Sequence, residues 1–416
     1  MKKRKSIFSI LLTVFIDMLG VGVLIPVIPM LFIASTSSEY ILQAGTSSQT
    51  GYLLFGLLLS VYPLMQFIAS PILGQLSDKF GRKPILIISL IGTCLGYILF
   101  AIGIFTKNLP LIFASRALDG ITGGNISVAQ AAIADITEPK DRAKTFGLIG
   151  AVFGVGFIIG PFVGGVLSDS SVLPWFNSAV PFIFTAVLSF INVLMVIFRF
   201  SETNNHKDNQ LKLNMFDSTN RIKRAFSDKS LSPLFFTNLL YTTGIAFNMG
   251  FLGTYLIQRF DFTQSDIGNY FAYIGVWIII TQALITRYVS KRVSEENVLR
   301  WSFLGAGIVI ILQIFMPTWQ ILLLVSPFFA VFIGLSNSNS VGLVSKNADK
   351  TMQGQVLGMN SSVQALSGIF PPFIGGLIAG AFGYYSPLLV AGSIIIVAGL
   401  FFIFVAYRRL KISFAV

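Results

Sequence analysis

Apolar residues in this chain come in long unbroken runs, not in the alternating or narrow amphipathic patterns of a soluble fold. Reading the runs against the polar breaks predicts twelve helical spans, at about 7–33, 50–75, 84–105, 109–132, 144–168, 180–199, 231–257, 265–289, 297–316, 318–342, 354–380 and 385–407. Roughly 20 apolar residues at 1.5 Å each cross the ~30 Å hydrocarbon layer of a bilayer. The longest polar break runs from about Ser201 to Ser230, is rich in Asn, Lys, Asp and Ser, and holds an amphipathic stretch from Met215 to Phe226. It divides the spans equally, predicting an N-terminal bundle over 1–200, a linker over 201–230 and a C-terminal bundle over 231–416.

The two halves also repeat. Gly147, Gly160-Pro161 and Gly164-Gly165 in the fifth span match Gly358, Pro371-Pro372 and Gly375-Gly376 in the eleventh, every pair offset by 211 residues. An internal repeat of this kind is common in secondary transporters. The expected fold is therefore an all-α polytopic membrane protein: twelve transmembrane helices in two pseudo-symmetric six-helix bundles.

Composition supports the membrane reading. Only 11% of residues are charged and mean hydropathy is +0.79, where a soluble domain carries about 25% charged residues. The net charge of +12 would suit nucleic acid if it covered one face. It does not: of 29 Lys and Arg, 26 fall at the termini or on one side of the loops, while Lys107 and Arg259 fall on the other and Arg116 lies within a span. That asymmetry orients the chain with both termini cytoplasmic and its basic side against anionic lipid, with no nucleic-acid partner. The basic opening Lys2-Lys3-Arg4-Lys5 is followed by no small-residue cleavage site, so the first run is expected to remain as an uncleaved helix. Cys94 has no disulfide partner, and His206 sits in the linker without ligand-like neighbours. With no nucleophile–base pair, metal cluster or phosphate-binding loop in the sequence, no enzyme, cofactor or direct use of ATP is expected.

Four motifs carry chemistry. After the second span comes Gly74-Gln75-Leu76-Ser77-Asp78-Lys79-Phe80-Gly81-Arg82-Lys83. Its glycines suit a tight reversal, Asp78 suits the positive end of a neighbouring helix, and Arg82 and Lys83 suit anionic headgroups. The matching loop around Tyr288 to Glu296 has lost this pattern. In the fifth span Gly147, Gly156, Gly160, Pro161, Gly164 and Gly165 offer a flat face and a bend. The fourth span places Arg116, Asp119, Gly120, Gly123 and Ser127 on one helical face, beside Gly124. A charge at mid-bilayer costs about 2.5–3.5 kcal/mol on insertion scales and must face partners or a water-filled cavity. In the first span Asp17 follows about ten apolar residues and precedes Gly20, Gly22, Pro26 and Pro29. The second half holds polar residues among many aromatics: Asn238, Tyr241, Asn248, Tyr273, Gln282, Asn337 and Gln364 are its candidate substrate-cavity residues.

These motifs resemble the major facilitator superfamily, and in particular its twelve-span drug:proton antiporters, tetracycline exporters among them. The decapeptide matches the cytoplasmic motif G-x-L-x-D-x-x-G-R-K, the fifth span the antiporter signature, the fourth the Arg-x3-Gly-x2-Gly-Gly motif and the first Asp-x2-Gly-x-Gly…Pro-x2-Pro. The resemblance implies a conformational latch at Gly74, Asp78, Gly81, Arg82 and Lys83, on one half only. It implies proton coupling by Asp17 with Arg116 and Asp119. Export of lipophilic or amphipathic small molecules would be driven by the proton gradient, by alternating access, from a monomer in a bacterial inner membrane. A metabolite, sugar or lipid-precursor transporter of the same fold is the alternative. Two departures point away from tetracycline itself: Gly96 stands where those exporters often carry an acidic residue, and their histidine in the second half has no counterpart.

Overall fold

A computed structural model of the chain describes residues 2–137, 142–204, 217–227, 231–347 and 353–407. His206 and most of the linker lie outside the described residues. The described residues form helices and no strand: α1 (Lys2–Phe32), α2 (Ser48–Phe80), α3 (Arg82–Phe105), α4 (Leu109–Thr122), α5 (Asn125–Ile136), α6 (Arg142–Leu167), α7 (Val180–Arg199), α8 (Asp217–Ser227), α9 (Ser232–Phe260), α10 (Gln264–Ile280), α11 (Thr286–Val289), α12 (Glu295–Ile314), α13 (Trp319–Lys346), α14 (Gln353–Ser367), α15 (Phe370–Phe382) and α16 (Ser386–Phe401). π-Helical turns at Thr281–Ile285 and Phe402–Ala406 continue α10 and α16.

Local signals in the sequence account for many helix starts. Proline occupies the first turn of α4, α7, α9, α15 and α16, where its missing N–H costs nothing. Asn108 caps α4 by accepting the Leu111 N–H at 3.0 Å. The amphipathic stretch in the linker forms α8.

Ten segments among the described residues are long and apolar enough to cross a membrane. The two other expected spans exist as helices of different character. α9 is 29 residues long but carries Asn238, Tyr241, Asn248 and Thr254 along it. The expected fourth span is not one helix: it breaks between Thr122 and Asn125, leaving α4 and α5 of 14 and 12 residues. The single face drawn through Arg116, Asp119, Gly120, Gly123 and Ser127 is therefore interrupted. At this turn α2 packs at close range. A Cβ on Gly123 would lie 2.5 Å from the Tyr62 hydroxyl, and one on Gly124 3.0 Å from the Ser70 Cα.

By contacts the chain forms two compact units. The first holds Met1–Thr46, Val61–Asp217 and Phe262–Ala272; the second holds Ser47–Ser60, Ser218–Asp261 and Tyr273–Val416. Each unit thus takes one helix end from the other half of the sequence, and the glycine repeat explains how. In the first unit Gly164 packs on Val23 of α1, while Gly165 packs on Gln264 and Gly268 of α10. In the second, Gly375 packs on Phe251 of α9, and Gly376 packs on Tyr52 and Gly56 of α2. The first glycine of each pair meets the first helix of its own half, and the second meets the second helix of the other.

Candidate functional site

The α1–α6 seam sets where Asp17 sits. Cβ atoms on Gly156, Gly160 and Gly164 would lie 2.7, 2.5 and 2.7 Å from the carbonyl oxygens of Phe15, Leu19 and Val23. The four-residue glycine step of α6 thus runs along a four-residue step of α1 at backbone contact, and small residues are what permit such an approach in lipid. Pro161 also lies in this seam, beside Gly22, and Gly147 lies further toward the N-terminus of α6.

Asp17 is held on that helix at 4% exposure. Arg116 and Asp119 of α4 are equally buried, at 4% and 2% exposure. Arg116 Nη1 donates to Asp119 Oδ2 at 2.7 Å, and the guanidinium lies over the Tyr62 ring at 4.8 Å from its centroid. The guanidinium is therefore neutralised within its own helix and covered by an aromatic face. Asp17 has no such partner: its Oδ2 is buried and makes no hydrogen bond among the described residues. Asn125, the first residue of α5, which packs on α1, is a near neighbour of Asp17, is fully buried, and has both amide atoms beyond hydrogen-bond distance of any described partner.

Several neighbours escaped the sequence reading. Tyr62 and Gln66 stand one turn apart on α2; Gln66 Nε2 donates to the Tyr62 hydroxyl at 3.1 Å and to the Gly123 carbonyl at 2.9 Å. Tyr97 of α3 lies against Gly20. Nothing in a single sequence marks these aromatics and amides among the many others. The one usable signal was Asn125, a polar residue directly after a Gly-Gly pair inside an apolar run.

The decapeptide loop is a second constellation, at the α2–α3 connection. Arg82 is its centre: its Nη1 contacts Asp78 at 2.5 Å and the Ser77 hydroxyl at 2.6 Å, and its Nε contacts Asp135 of α5 at 3.0 Å. Lys83 Nζ donates to the Ile197 carbonyl at 2.7 Å. Glu202, which follows α7, accepts the backbone N–H groups of Arg82 at 2.8 Å and Lys83 at 3.1 Å and so caps α3. Burial alone would raise the Glu202 pKa, but the N–H groups of Asn204, Arg82, Lys83 and Thr203 outweigh it and hold the carboxyl below its ordinary range. The turn itself needs only one glycine. Gly81 has φ 108°, a value open to glycine, whereas Gly74 continues α2 as ordinary helix. The expectation that both glycines shape the turn is corrected accordingly.

In the second half the motif pattern is absent, but an ion pair is not. Lys346 at the end of α13 reaches Glu296 at the start of α12 at 3.3 Å. Lys346 lies 211 residues beyond Asp135, so the repeat keeps the position and reverses the charge.

The second-half candidates separate into a network and outliers. Asn238 Nδ2 donates to Asn360 at 2.7 Å, Ser340 donates to the Asn238 carbonyl oxygen of the side chain, and the Tyr241 hydroxyl donates to Asn337 at 3.1 Å. This network joins α9, α13 and α14. Gln282 lies in a π-helical turn, accepting from Ser338 at 2.7 Å and donating to the Gly334 carbonyl at 3.3 Å. Tyr273 donates to the Leu323 carbonyl at 3.2 Å. Asn248 is fully buried with its amide atoms unpartnered, and Gln364 is exposed on α14. Cys94 is buried with its thiol toward the Ala186 carbonyl at 3.4 Å.

Comparison with known proteins brings in the rest. A sequence profile described as the Major Facilitator Superfamily matches residues 10–372 and 234–413. The chain is 30% identical over 383 residues to the tetracycline resistance protein, class H, of Pasteurella multocida, covering 89% of this chain and 88% of that protein. It is 28% identical over 401 residues to multidrug resistance protein 2 of Bacillus subtilis (strain 168), covering 95% and 94%. Among solved structures, the human organic anion transporter MFSD10 (TETRAN) superposes with a TM-score of 0.71 at 20% identity, covering 97% of this chain and 100% of that one.

Proposed function

Because this multi-pass membrane chain belongs to the Major Facilitator Superfamily, we propose that it is a secondary active exporter of lipophilic or amphipathic small molecules, driven by proton antiport. Its similarity to tetracycline and multidrug resistance proteins along nearly all of its length supports drug efflux over the carriage of one metabolite. The observation that carries the coupling assignment is the contrast between two buried carboxylates. Asp119 is neutralised by Arg116 at 2.7 Å, whereas Asp17 has an unpartnered oxygen. A buried carboxylate without a counter-charge is one that a proton can neutralise, and alternating exposure would let it load on one side and unload on the other.

In this reading Asp17 carries the proton, the Arg116–Asp119 pair fixes the electrostatic background beside it, and the α1–α6 glycine seam transmits movement of α1. The substrate occupies the region lined by polar and aromatic residues of the second half, with Tyr241 and Asn337 among its contacts. The protein works as a monomer, with both termini cytoplasmic and the proton gradient as its energy source. The basic residues at the termini and on one side of the loops support that orientation.

The test uses inside-out vesicles with an acidic interior, a pH-sensitive dye, and a panel including tetracycline and ethidium. At least one compound is expected to trigger proton efflux from the lumen with the parent protein and not with Asp17→Asn. Unchanged coupling in a folded, inserted Asp17→Asn protein would remove Asp17 from the mechanism. Silence of the parent across the panel would remove drug antiport itself.

A further inference from the structure

The break in the expected fourth span has a chemical consequence at Asp17. α5 begins inside the first unit, at Asn125, and its Ser127 N–H bonds back to the Gly124 carbonyl at 3.2 Å across the turn. Gly124, at the N-cap position, makes no side-chain cap. Packing requires glycine at this turn, since the Tyr62 hydroxyl and the Ser70 backbone fill the space that any side chain at Gly123 or Gly124 would need. At this spot two buried groups are each short of a partner: Asp17 Oδ2, and both amide atoms of Asn125. Exposure is 4% for Asp17 and 0% for Asn125, so the protein interior has to satisfy them.

The other polar groups around Asp17 differ from Asn125 in chemistry. The titratable or charged groups about Asp17 are Asp119 and Arg116 of α4, Tyr62 of α2 and Tyr97 of α3. Arg116 is taken by Asp119, while Tyr62 accepts from Gln66 and, like Tyr97, keeps an O–H that can donate but no amide-like pair of groups. α6 and α7 face α1 through uncharged residues, with Gly156, Gly160, Thr185 and Asn192 among them. A carboxylate ion requires donors, whereas a carboxylic acid both donates and accepts. The Asn125 amide offers one group of each kind and can serve both states.

Building on the antiporter reading, we infer that Asn125 is the positioning residue for Asp17. Its amide N–H, at the N-terminal end of α5, meets the carboxylate when Asp17 is ionised, and its amide oxygen meets the acid when Asp17 is protonated. The break after α4 thereby sets the pH at which Asp17 releases its proton. Arg116 has a separate task, the neutralisation of Asp119.

The experiment reads protonation of Asp17 without any substrate. Dicyclohexylcarbodiimide reacts with protonated carboxyl groups in apolar surroundings. The Asp17-dependent fraction of its labelling is measured against pH on the purified full-length protein in lipid, with Asp17→Asn as the blank. Removing a donor to the ionised form in Asn125→Ala is expected to carry labelling about one pH unit further into the alkaline range, a tenfold change. Asn125→Ser, which keeps a donor and acceptor, is expected to return most of that shift. The inference is overturned if Asn125→Ala labels with the parent's midpoint, or if Ser and Ala shift it equally, which marks a loss of volume and not of a hydrogen bond. If the parent's Asp17 labelling shows no pH dependence, the proton-carrier reading fails together with this one. If only the vesicle assay is silent while the Asn125 shift is present, export has failed and the positioning role stands.

Discussion

A buried guanidinium and a buried carboxylate can coexist within one helix only because each removes the other's cost. Arg116 and Asp119 stand three residues apart, the spacing that brings side chains together on a helix, and both are almost fully enclosed. Removing one partner leaves an uncompensated charge in a low-dielectric interior, which typically costs about 3–5 kcal/mol. Replacing both by apolar residues of similar volume removes the problem along with the attraction. Arg116→Met and Asp119→Leu are therefore each expected to lower the unfolding midpoint in detergent sharply, and the double variant is expected to recover most of the loss. If the double variant is as unstable as the worse single one, the pair is not the unit described here. The pairing itself was readable from spacing. What spacing did not reveal is that the Arg116 guanidinium turns to Asp119 beneath the Tyr62 ring.

Helix ends are where the sequence signals were strongest, and also where tertiary contacts took over. Asn108 and the first-turn prolines announce their helices locally. The start of α3 is different, because its cap comes from Glu202, 120 residues further along the chain from Arg82. No local pattern around Arg82 contains that information. The Glu202 pKa lies below its ordinary value when folded, so its stabilisation is fully present above the ordinary carboxylate range. It is lost as pH falls through that range and then through the lowered folded value. Thermal unfolding followed against pH should show this acid-side loss in the parent and a smaller one in Glu202→Gln. Glu202→Ala at neutral pH should cost about 1 kcal/mol, as for other helix caps. Equal acid sensitivity in the parent and Glu202→Gln would mean that another carboxylate governs that end of the fold. The break between α4 and α5 teaches the same lesson. Gly123-Gly124 inside an apolar run reads as close packing, but which residues pack there, Tyr62 and Ser70 of α2, only the fold shows.

Across the whole chain, the 211-residue repeat proves to be a repeat of contacts as well as of residues. Gly165 packs on α10 as Gly376 packs on α2, each within its own unit. A branched side chain at either position must displace backbone, an overpacking cost of about 1–3 kcal/mol. Gly165→Val and Gly376→Val are expected to destabilise by similar amounts, and their effects should add in the double variant because they share no partner. Chemical denaturation of the three variants checks this, and strong non-additivity would show that the two packings are not independent.

The order of residues alone was enough to establish the class of this protein, most of its helices, its twofold repeat and which charged residues lie inside the apolar runs. These follow from local physics. Apolar runs must be long enough to cross a bilayer, a charge in lipid needs a reason, and glycine repeats mark close helix contact. Tertiary structure alone decided the distant partners: Asp135 for Arg82 across 53 residues, and Glu202 for the start of α3. It also decided that the fourth span breaks, and that each unit borrows a helix end from the other half of the chain. The reason is the same in every case. A side chain's environment is set by helices that pack from elsewhere in the chain, and only folding brings those helices together.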